Sequence, residues 1–144
     1  MSADRGAGRA LPQLVPLSDG GALPLLATSD AGRLVRSDDR PPAVFPLRHL
    51  VEDGQLILRV RLLPVLSGPP AYPARLTYQA DRIDPEDHTG WMVIVTGPAE
   101  QITDPDHQMR FRLTMRAWPD EHTEHLLRLR PETITGYRLT RSRS

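Results

Sequence analysis

The sequence contains neither cysteine nor lysine, and each absence excludes a set of functions. Without cysteine there is no thiolate nucleophile, no CxxC redox pair, no iron–sulfur ligation and no thiolate ligand for zinc or haem. Without lysine there is no Schiff-base catalysis, no lysine-anchored pyridoxal cofactor and no P-loop. All 18 basic residues are therefore arginines, and the planar arginine side chain binds phosphate or carboxylate through two parallel hydrogen bonds.

Long hydrophobic runs and an excess of either charge are also missing. No apolar stretch approaches the ~20 residues of a membrane-spanning helix, and no basic segment followed by an apolar one opens the chain as an export signal would. The 18 acidic residues balance the 18 basic ones, which argues against a nucleic-acid-binding surface. With 144 residues, 39% of them hydrophobic, the chain is predicted to be one cytoplasmic domain that binds neither membranes nor nucleic acid.

The first part of the chain differs in composition from the rest. Residues 1–20 are rich in small residues and proline and show no hydrophobic periodicity. This composition predicts a flexible N-terminal arm, followed by a single domain over residues 21–144. The sequence also allows a helix of one or two turns that starts near Pro24, because proline is tolerated in a first helical turn.

Alternating apolar and polar residues predict β-strands from residue 32 onward. In residues 55–62 the alternation turns four aliphatic side chains to one face and leaves Arg59 and Arg61 on the opposite, outward face. Residues 44–51 meet this strand across Asp53-Gly54, a pair typical of hairpin turns. The sequence therefore predicts a β-hairpin whose outer face carries two guanidinium groups about 7 Å apart.

Two later segments extend the predicted sheet. Residues 75–80 alternate, with Leu76, Tyr78 and Ala80 facing inward, and residues 91–96 are apolar on both faces. The strand at residues 91–96 should therefore be covered on both sides, and a second subunit could cover its outer face. The whole pattern gives six or seven strands with one or two short helices, which predicts a mostly antiparallel barrel or sandwich.

Residues 104–117 carry two conflicting signals. Asp104-Pro105 is typical of a helix cap followed by proline at the first helical position. Apolar residues then alternate with polar ones at positions 109–116, which is a strand pattern. From the residues alone the segment is therefore either a helix or a strand.

A few side chains could form a binding site. Arg59 and Arg61 on one strand face suit a phosphate or carboxylate, with Arg48 and His49 on the neighbouring strand, although an ordinary solvated face would look the same. Trp91 is expected to anchor the core or an interface, or to lie against a planar ligand. The acidic and histidine residues at 120–125 are interpreted as a polar loop, and no metal site is predicted.

Six segments, taken in order, resemble the pyridoxamine 5′-phosphate oxidase-like family of flavin-binding split β-barrels, in its small actinobacterial branch. They are PLRHLVEDG at 46–54, ILRVRL at 57–62, YQADRIDP at 78–85, HTGWMVIVTG at 88–97, ITDP at 102–105 and LRPETITGYRL at 129–139. The resemblance runs from about residue 32 to residue 139. It implies a mainly β fold, a six-stranded antiparallel split barrel with one or two short helices, in which the segment from Asp104 begins as a helix and could cover the Trp91 strand.

The resemblance also implies a homodimer that binds FMN or a deazaflavin at the dimer interface and passes a hydride to or from a small-molecule substrate. Arg59 matches the strand arginine that faces the flavin phosphate in the family. Arg48 and His49 match a pair of residues near the flavin, and Arg61 and Trp91 complete the predicted cofactor contacts. Val60, also placed at this site, stands where the family usually has a phosphate-binding threonine.

Two functions follow from these observations. The first is a flavin- or deazaflavin-dependent oxidoreductase, for which no catalytic residue can be named because the cofactor carries the chemistry. The second is a cofactor-free split barrel that serves as a non-redox enzyme or a small-molecule binding protein. The second follows from a missing hydroxyl and a missing cation, because Val60 replaces the threonine and Val65 stands near the position of a phosphate-binding lysine in many relatives. Each lost charge-assisted contact is worth roughly 1.5–3 kcal/mol.

Overall fold

The structure is a computed structural model that describes residues 11–36, 43–60, 74–115 and 125–142. Within these ranges the chain forms eight strands and two helices. They are β1 (Leu11–Pro16), α1 (Asp19–Leu26), β2 (Ala31–Arg36), β3 (Ala43–Glu52), β4 (Gln55–Val60), β5 (Ala74–Ile83), β6 (Gly90–Gln101), α2 (Pro105–Thr114), β7 (His125–Leu129) and β8 (Thr133–Ser142).

The predicted hairpin joins β3 to β4. Glu52 pairs with Gln55, and the two residues between them, Asp53 and Gly54, have φ angles of 53° and 74°. Positive φ at both central positions is the geometry of a type I′ turn, whose twist matches that of the strands it joins. The Asp-Gly pair thus fixes the register that brings Arg48 directly opposite Arg59.

Six strands close a barrel in the order β6-β5-β2-β3-β4-β7, with every pairing antiparallel. The barrel closes because β6 is long enough to have two partners along the edge opposite β5. Its first part, through Thr96, pairs with β8, and its last part, from Ala99, pairs with β7. The predicted six-stranded antiparallel barrel is confirmed, and β8 and β1 continue its sheet beyond β6.

The barrel interior holds the main hydrophobic core. The predicted inward residues of β5, namely Leu76, Tyr78 and Ala80, are all buried there. Every second residue of β6 from Trp91 to Ala99 is buried as well, whereas Met92 and Ile94 on its outer face are only partly covered. The predicted inward alternation of β5 is therefore confirmed. The outer face of β6, for which the sequence predicts cover on both sides, is only partly covered in the single chain.

The segment after Asp104 is a helix, as the resemblance implies. The Asp104 side chain accepts hydrogen bonds from the backbone N–H groups of Asp106 and His107, at 2.8 and 3.3 Å, which caps the first turn. Phe111 of α2 packs with Ile57 of β4 and Leu126 of β7. The expectation that this helix covers the Trp91 strand is wrong, because its one buried side chain, Phe111, is directed at β4 and β7 instead.

The position of α2 changes the environment of β4. This strand is buried on both faces from Leu56 to Val60. The predicted outward, exposed face is therefore wrong for Arg59, because α2 covers that side of the strand.

The predicted N-terminal arm is wrong where the structure describes it. Residues 11–16 form β1, which pairs with β8 along its whole length, and α1 begins at Asp19 behind a Ser18 cap rather than near Pro24. The edge of β8 supplies hydrogen-bond partners that local composition cannot reveal. Residues 1–10 lie outside the described residues. Among the elements that are described, neither helix has the length and apolar character needed to cross a membrane.

Candidate functional site

A cavity of about 280 Å³ opens on the outer side of β3, between the C-terminal ends of the two helices. One wall comes from the residues after α1, the floor from β3, and the opposite wall from the end of α2. Its described lining residues are Ala27, Ser29, Asp30, Arg48, His49, Leu50, Val51, Thr114 and Met115.

Arg48 supplies the positive charge of this cavity. Its side chain is 18% exposed, and its Nη1 atom lies 3.4 Å from the Oδ2 atom of Asp30, whose own side chain is 61% exposed. Charge-assisted hydrogen bonds are usually 2.7–2.9 Å long, so this ion pair is a loose one. The cavity therefore presents a guanidinium beside a carboxylate that lies mostly in solvent.

His49 lines the cavity and also reaches into the barrel core. Its Nε2 atom lies 2.9 Å from the carbonyl oxygen of Leu26, and its Nδ1 atom lies 2.5 Å from the hydroxyl of Tyr78. A carbonyl can only accept, so Nε2 carries the proton and Nδ1 accepts from the Tyr78 hydroxyl. Burial lowers the pKa of His49 and raises the pKa of Tyr78, so the pair is neutral and ties α1 to the barrel.

Arg59 lies beneath the C-terminal end of α2. It is only 6% exposed, and its Nη1 atom donates to the carbonyl oxygens of Met115 and Arg112, at 2.6 and 3.4 Å. The last carbonyls of a helix lack partners within the helix and carry partial negative charge, so a cation is stabilising there. Arg59 thus has a structural partner and is not among the described residues that line the cavity.

Two other predicted cofactor contacts lie apart from the cavity. Val60 and Trp91 are buried in the main core of the barrel, and Arg61 lies outside the described residues. Of the six residues predicted from the sequence, the structure brings Arg48 and His49 together at the cavity.

The sequence reasoning missed the residues that complete the cavity walls. Ser29 follows α1, and its hydroxyl donates to the carbonyl oxygen of Leu26, while Thr114 and Met115 end α2. The turn chemistry of Ser29 and Asp30 is visible in the sequence. Nothing in the sequence, however, indicates that the ends of α1 and α2 meet across β3.

The acidic clusters do not form a metal site in the part of the chain that the structure describes, where no group of three or more candidate ligands occurs. Asp84 and Asp87 accept hydrogen bonds from backbone N–H groups of their own loop. Of the cluster at 120–125, only His125 is described, and its Nδ1 atom lies 2.9 Å from the side-chain nitrogen of Gln101.

Comparison with known proteins gives consistent matches over most of the chain. Residues 18–138 match the family model described as pyridoxamine 5′-phosphate oxidase. An uncharacterized protein of Mycobacterium tuberculosis is 36% identical, with 93% of each chain covered. Among solved structures, a Corynebacterium glutamicum protein provisionally named a pyridoxamine 5′-phosphate oxidase superposes with a TM-score of 0.71 at 23% identity, covering 89% of this chain and 99% of the other.

Another similar structure is that of an FAD-binding protein from Mycobacterium smegmatis. It matches with a TM-score of 0.62 at 25% identity and covers 88% of this chain and 98% of its own. The family match and the curated relative both span far more than half of the sequence, and the barrel described above agrees with them. The chain belongs to the pyridoxamine 5′-phosphate oxidase family.

Proposed function

We propose that this protein binds a flavin at the cavity beside Arg48 and works as an oxidoreductase on a small molecule. Membership of the family supports a flavin, as does the named FAD-binding protein among its structural neighbours. The observation that carries the proposal is the placement of Arg48, whose guanidinium lines the cavity beside the exposed carboxylate of Asp30. The candidate cofactors are FMN or a deazaflavin, as the sequence implies, and FAD, which the neighbour binds.

The lining of the cavity fits one end of such a cofactor. The guanidinium of Arg48 suits an anionic group, the hydroxyls of Ser29 and Thr114 suit polar atoms, and Leu50 and Met115 offer apolar surface. An incoming anion would replace Asp30 as the partner of Arg48, since the Asp30 carboxylate can move into solvent. These side chains would bind and orient the flavin and exclude water from part of it.

A second copy of the chain is also part of the proposal. The cavity measures about 280 Å³, below the roughly 300–1,000 Å³ of pockets that enclose drug-sized ligands. The partly covered Met92 and Ile94 on the outer face of β6 offer an apolar surface for that copy. We therefore include a homodimer in the proposal.

The flavin, when bound, supplies two-electron hydride chemistry, and the protein supplies position and environment. His49 is neutral and its two ring nitrogens are bonded to Tyr78 and Leu26. It therefore shapes the cavity wall and holds its proton at Nε2. No described side chain in the cavity is placed as an evident general acid or base, so specificity for the substrate would come from the space left beside the flavin.

The test is a visible absorbance spectrum of the purified protein before and after addition of FMN, FAD or a deazaflavin, with unbound ligand removed by gel filtration. Retained flavin bands support the proposal. In Arg48→Gln, the loss of one charge-assisted contact should weaken binding roughly 10- to 100-fold. Arg75→Gln is the matched control, because Arg75 is exposed and paired with Glu132 on the sheet. A protein that retains none of the three ligands contradicts the proposal.

One observation favours a second candidate, a cofactor-free barrel that binds a different small molecule. Arg59 is bonded to the end of α2 and Val60 is buried in the core, so two positions that matter for flavin phosphate in the family do not line the cavity. A colourless protein that rejects all three flavins, yet binds a small carboxylate or phosphate in an Arg48-dependent manner, would support this function.

A further inference from the structure

Two arginines lie side by side on the face of the β3–β4 hairpin that α2 covers. Arg48 and Arg59 are directly opposite in the strand register, so their side chains leave the sheet on the same side. Arg48 lines the cavity, whereas Arg59 extends under α2 to the carbonyl oxygens of Met115 and Arg112. The two guanidinium groups therefore reach different described groups, Asp30 for Arg48 and the end of α2 for Arg59, although they start from neighbouring positions.

Contacts of the described residues hold both ends of α2 to the barrel. Within Pro105–Thr114 only Phe111 is buried, and a helix of ten residues is too short to be stable without tertiary contacts. The cap at Asp104 and the ion pair from Arg110 to Glu52 secure the earlier turns. After Phe111, the hydrogen bonds from Arg59 and the packing of Met115 hold the last turn against the barrel.

We propose that Arg59 is a positioning residue of the cavity: by anchoring the end of α2 it sets the place of Thr114 and Met115, which form the α2 wall. Arg59 then acts on a bound ligand through this wall, not by contact with the ligand's anionic group. The statement about the ligand rests on the proposed flavin function, while the statement about α2 does not.

The experiment compares Arg59→Met and Arg59→Lys with Arg48→Met in the full-length protein. Hydrogen exchange of the amides in α2 and at Met115 reports on the anchor. Equilibrium binding of FMN and of riboflavin, which lacks the phosphate, reports on the ligand, and the absorption band of bound flavin reports on the environment of its ring.

We expect Arg59→Met to accelerate exchange at the end of α2 roughly 10- to 100-fold, the loss expected for a charge-assisted contact. It should weaken the binding of FMN and of riboflavin by the same factor and shift the absorption band of the bound flavin. Arg59→Lys keeps a charged donor near the Met115 carbonyl and should restore part of each effect. Arg48→Met should weaken the binding of FMN at least tenfold more than the binding of riboflavin. The hydrogen-exchange rates of the α2 amides should stay within about twofold of those of the wild type.

Two results would overturn the inference. If Arg59→Met weakens the binding of FMN but not of riboflavin, Arg59 contacts the phosphate of FMN directly. If exchange at Thr114 and Met115 is unchanged, Arg59 does not hold the wall. Should Arg59→Met fail to fold, the same comparison is made with Arg59→Lys. Should the wild type bind neither of these two flavins, nor FAD, nor a deazaflavin, the proposed function fails, and α2 exchange still decides whether Arg59 positions the wall.

Discussion

His49 couples the stability of the protein to pH. Its pKa is lowered from the usual value of about 6.5, chiefly by burial, so the unfolded chain binds a proton at a higher pH than the folded one. Stability from the neutral ring is fully present above about pH 6.5 and declines as the pH falls from there through the folded pKa. We expect the melting temperature of the wild type to drop between pH 7 and pH 5.

The comparison of two histidine variants isolates this effect. His49→Gln should lower the melting temperature at pH 7, because Tyr78 loses its hydrogen-bond partner, and should show a shallower decline below pH 6.5. His107→Gln, at an exposed site on α2, should keep the wild-type slope. A slope in His49→Gln as steep as that of the wild type would mean that His49 is not the group responsible.

Gly32 protects the His49–Tyr78 pair from crowding. A Cβ atom at this position would lie 2.5 Å from the Tyr78 hydroxyl oxygen and 2.5 Å from the Gln79 carbonyl oxygen. We expect Gly32→Ala to lower the free energy of unfolding by about 1–3 kcal/mol, the usual range for overpacking a core. Gly20→Ala is the control, because its Cβ would meet nothing within 4 Å. The free energy of unfolding of both variants is measured by urea titration. Equal losses in the two variants would exclude crowding at Gly32 as the cause.

At the scale of the element, α2 depends on a single aromatic anchor. Phe111 is fully buried in the cluster that joins α2 to β4 and β7, and the guanidinium carbon of Arg110 lies 4.3 Å from the centre of its ring. We expect Phe111→Ala to lower the free energy of unfolding by about 3–5 kcal/mol. Leu113→Ala, at a residue that is 82% exposed, should change it by less than about 0.5 kcal/mol. Similar losses in both variants would contradict the assigned packing.

Elements with a strong local signal could be predicted, and α2 shows why others could not. The Asp53-Gly54 turn could be predicted because both residue types readily adopt positive φ. The alternation of β5 could be predicted because its apolar side chains are the ones buried in the core. In α2 the apolar residues Met109 and Leu113 are exposed, so the strand-like alternation does not reflect burial and only the Asp104 cap was informative. β1 was missed because its partner, β8, lies at the other end of the chain.

At the scale of the whole molecule, the cavity combines residues that are far apart in the sequence. Ser29, Arg48 and Thr114 meet because the barrel brings β3 between the ends of α1 and α2. Arg48 and His49 could be selected by their resemblance to family positions. The different environment of Arg59 could not be predicted, because it depends on a helix more than forty residues later that covers β4.

The proposed homodimer makes the outer face of β6 the most informative surface of the molecule. Ile94 lies on this face and is partly covered in the single chain. Its replacement by arginine would place an unpaired charge inside an interface, which costs several kcal/mol, while the barrel interior stays unchanged. We expect Ile94→Arg to be a folded monomer by light scattering at concentrations where the wild type is a dimer. Leu113→Arg adds the same charge to the exposed face of α2 and should remain dimeric. A wild-type protein that is monomeric, or an Ile94→Arg protein that stays dimeric, would show that this face is not the interface.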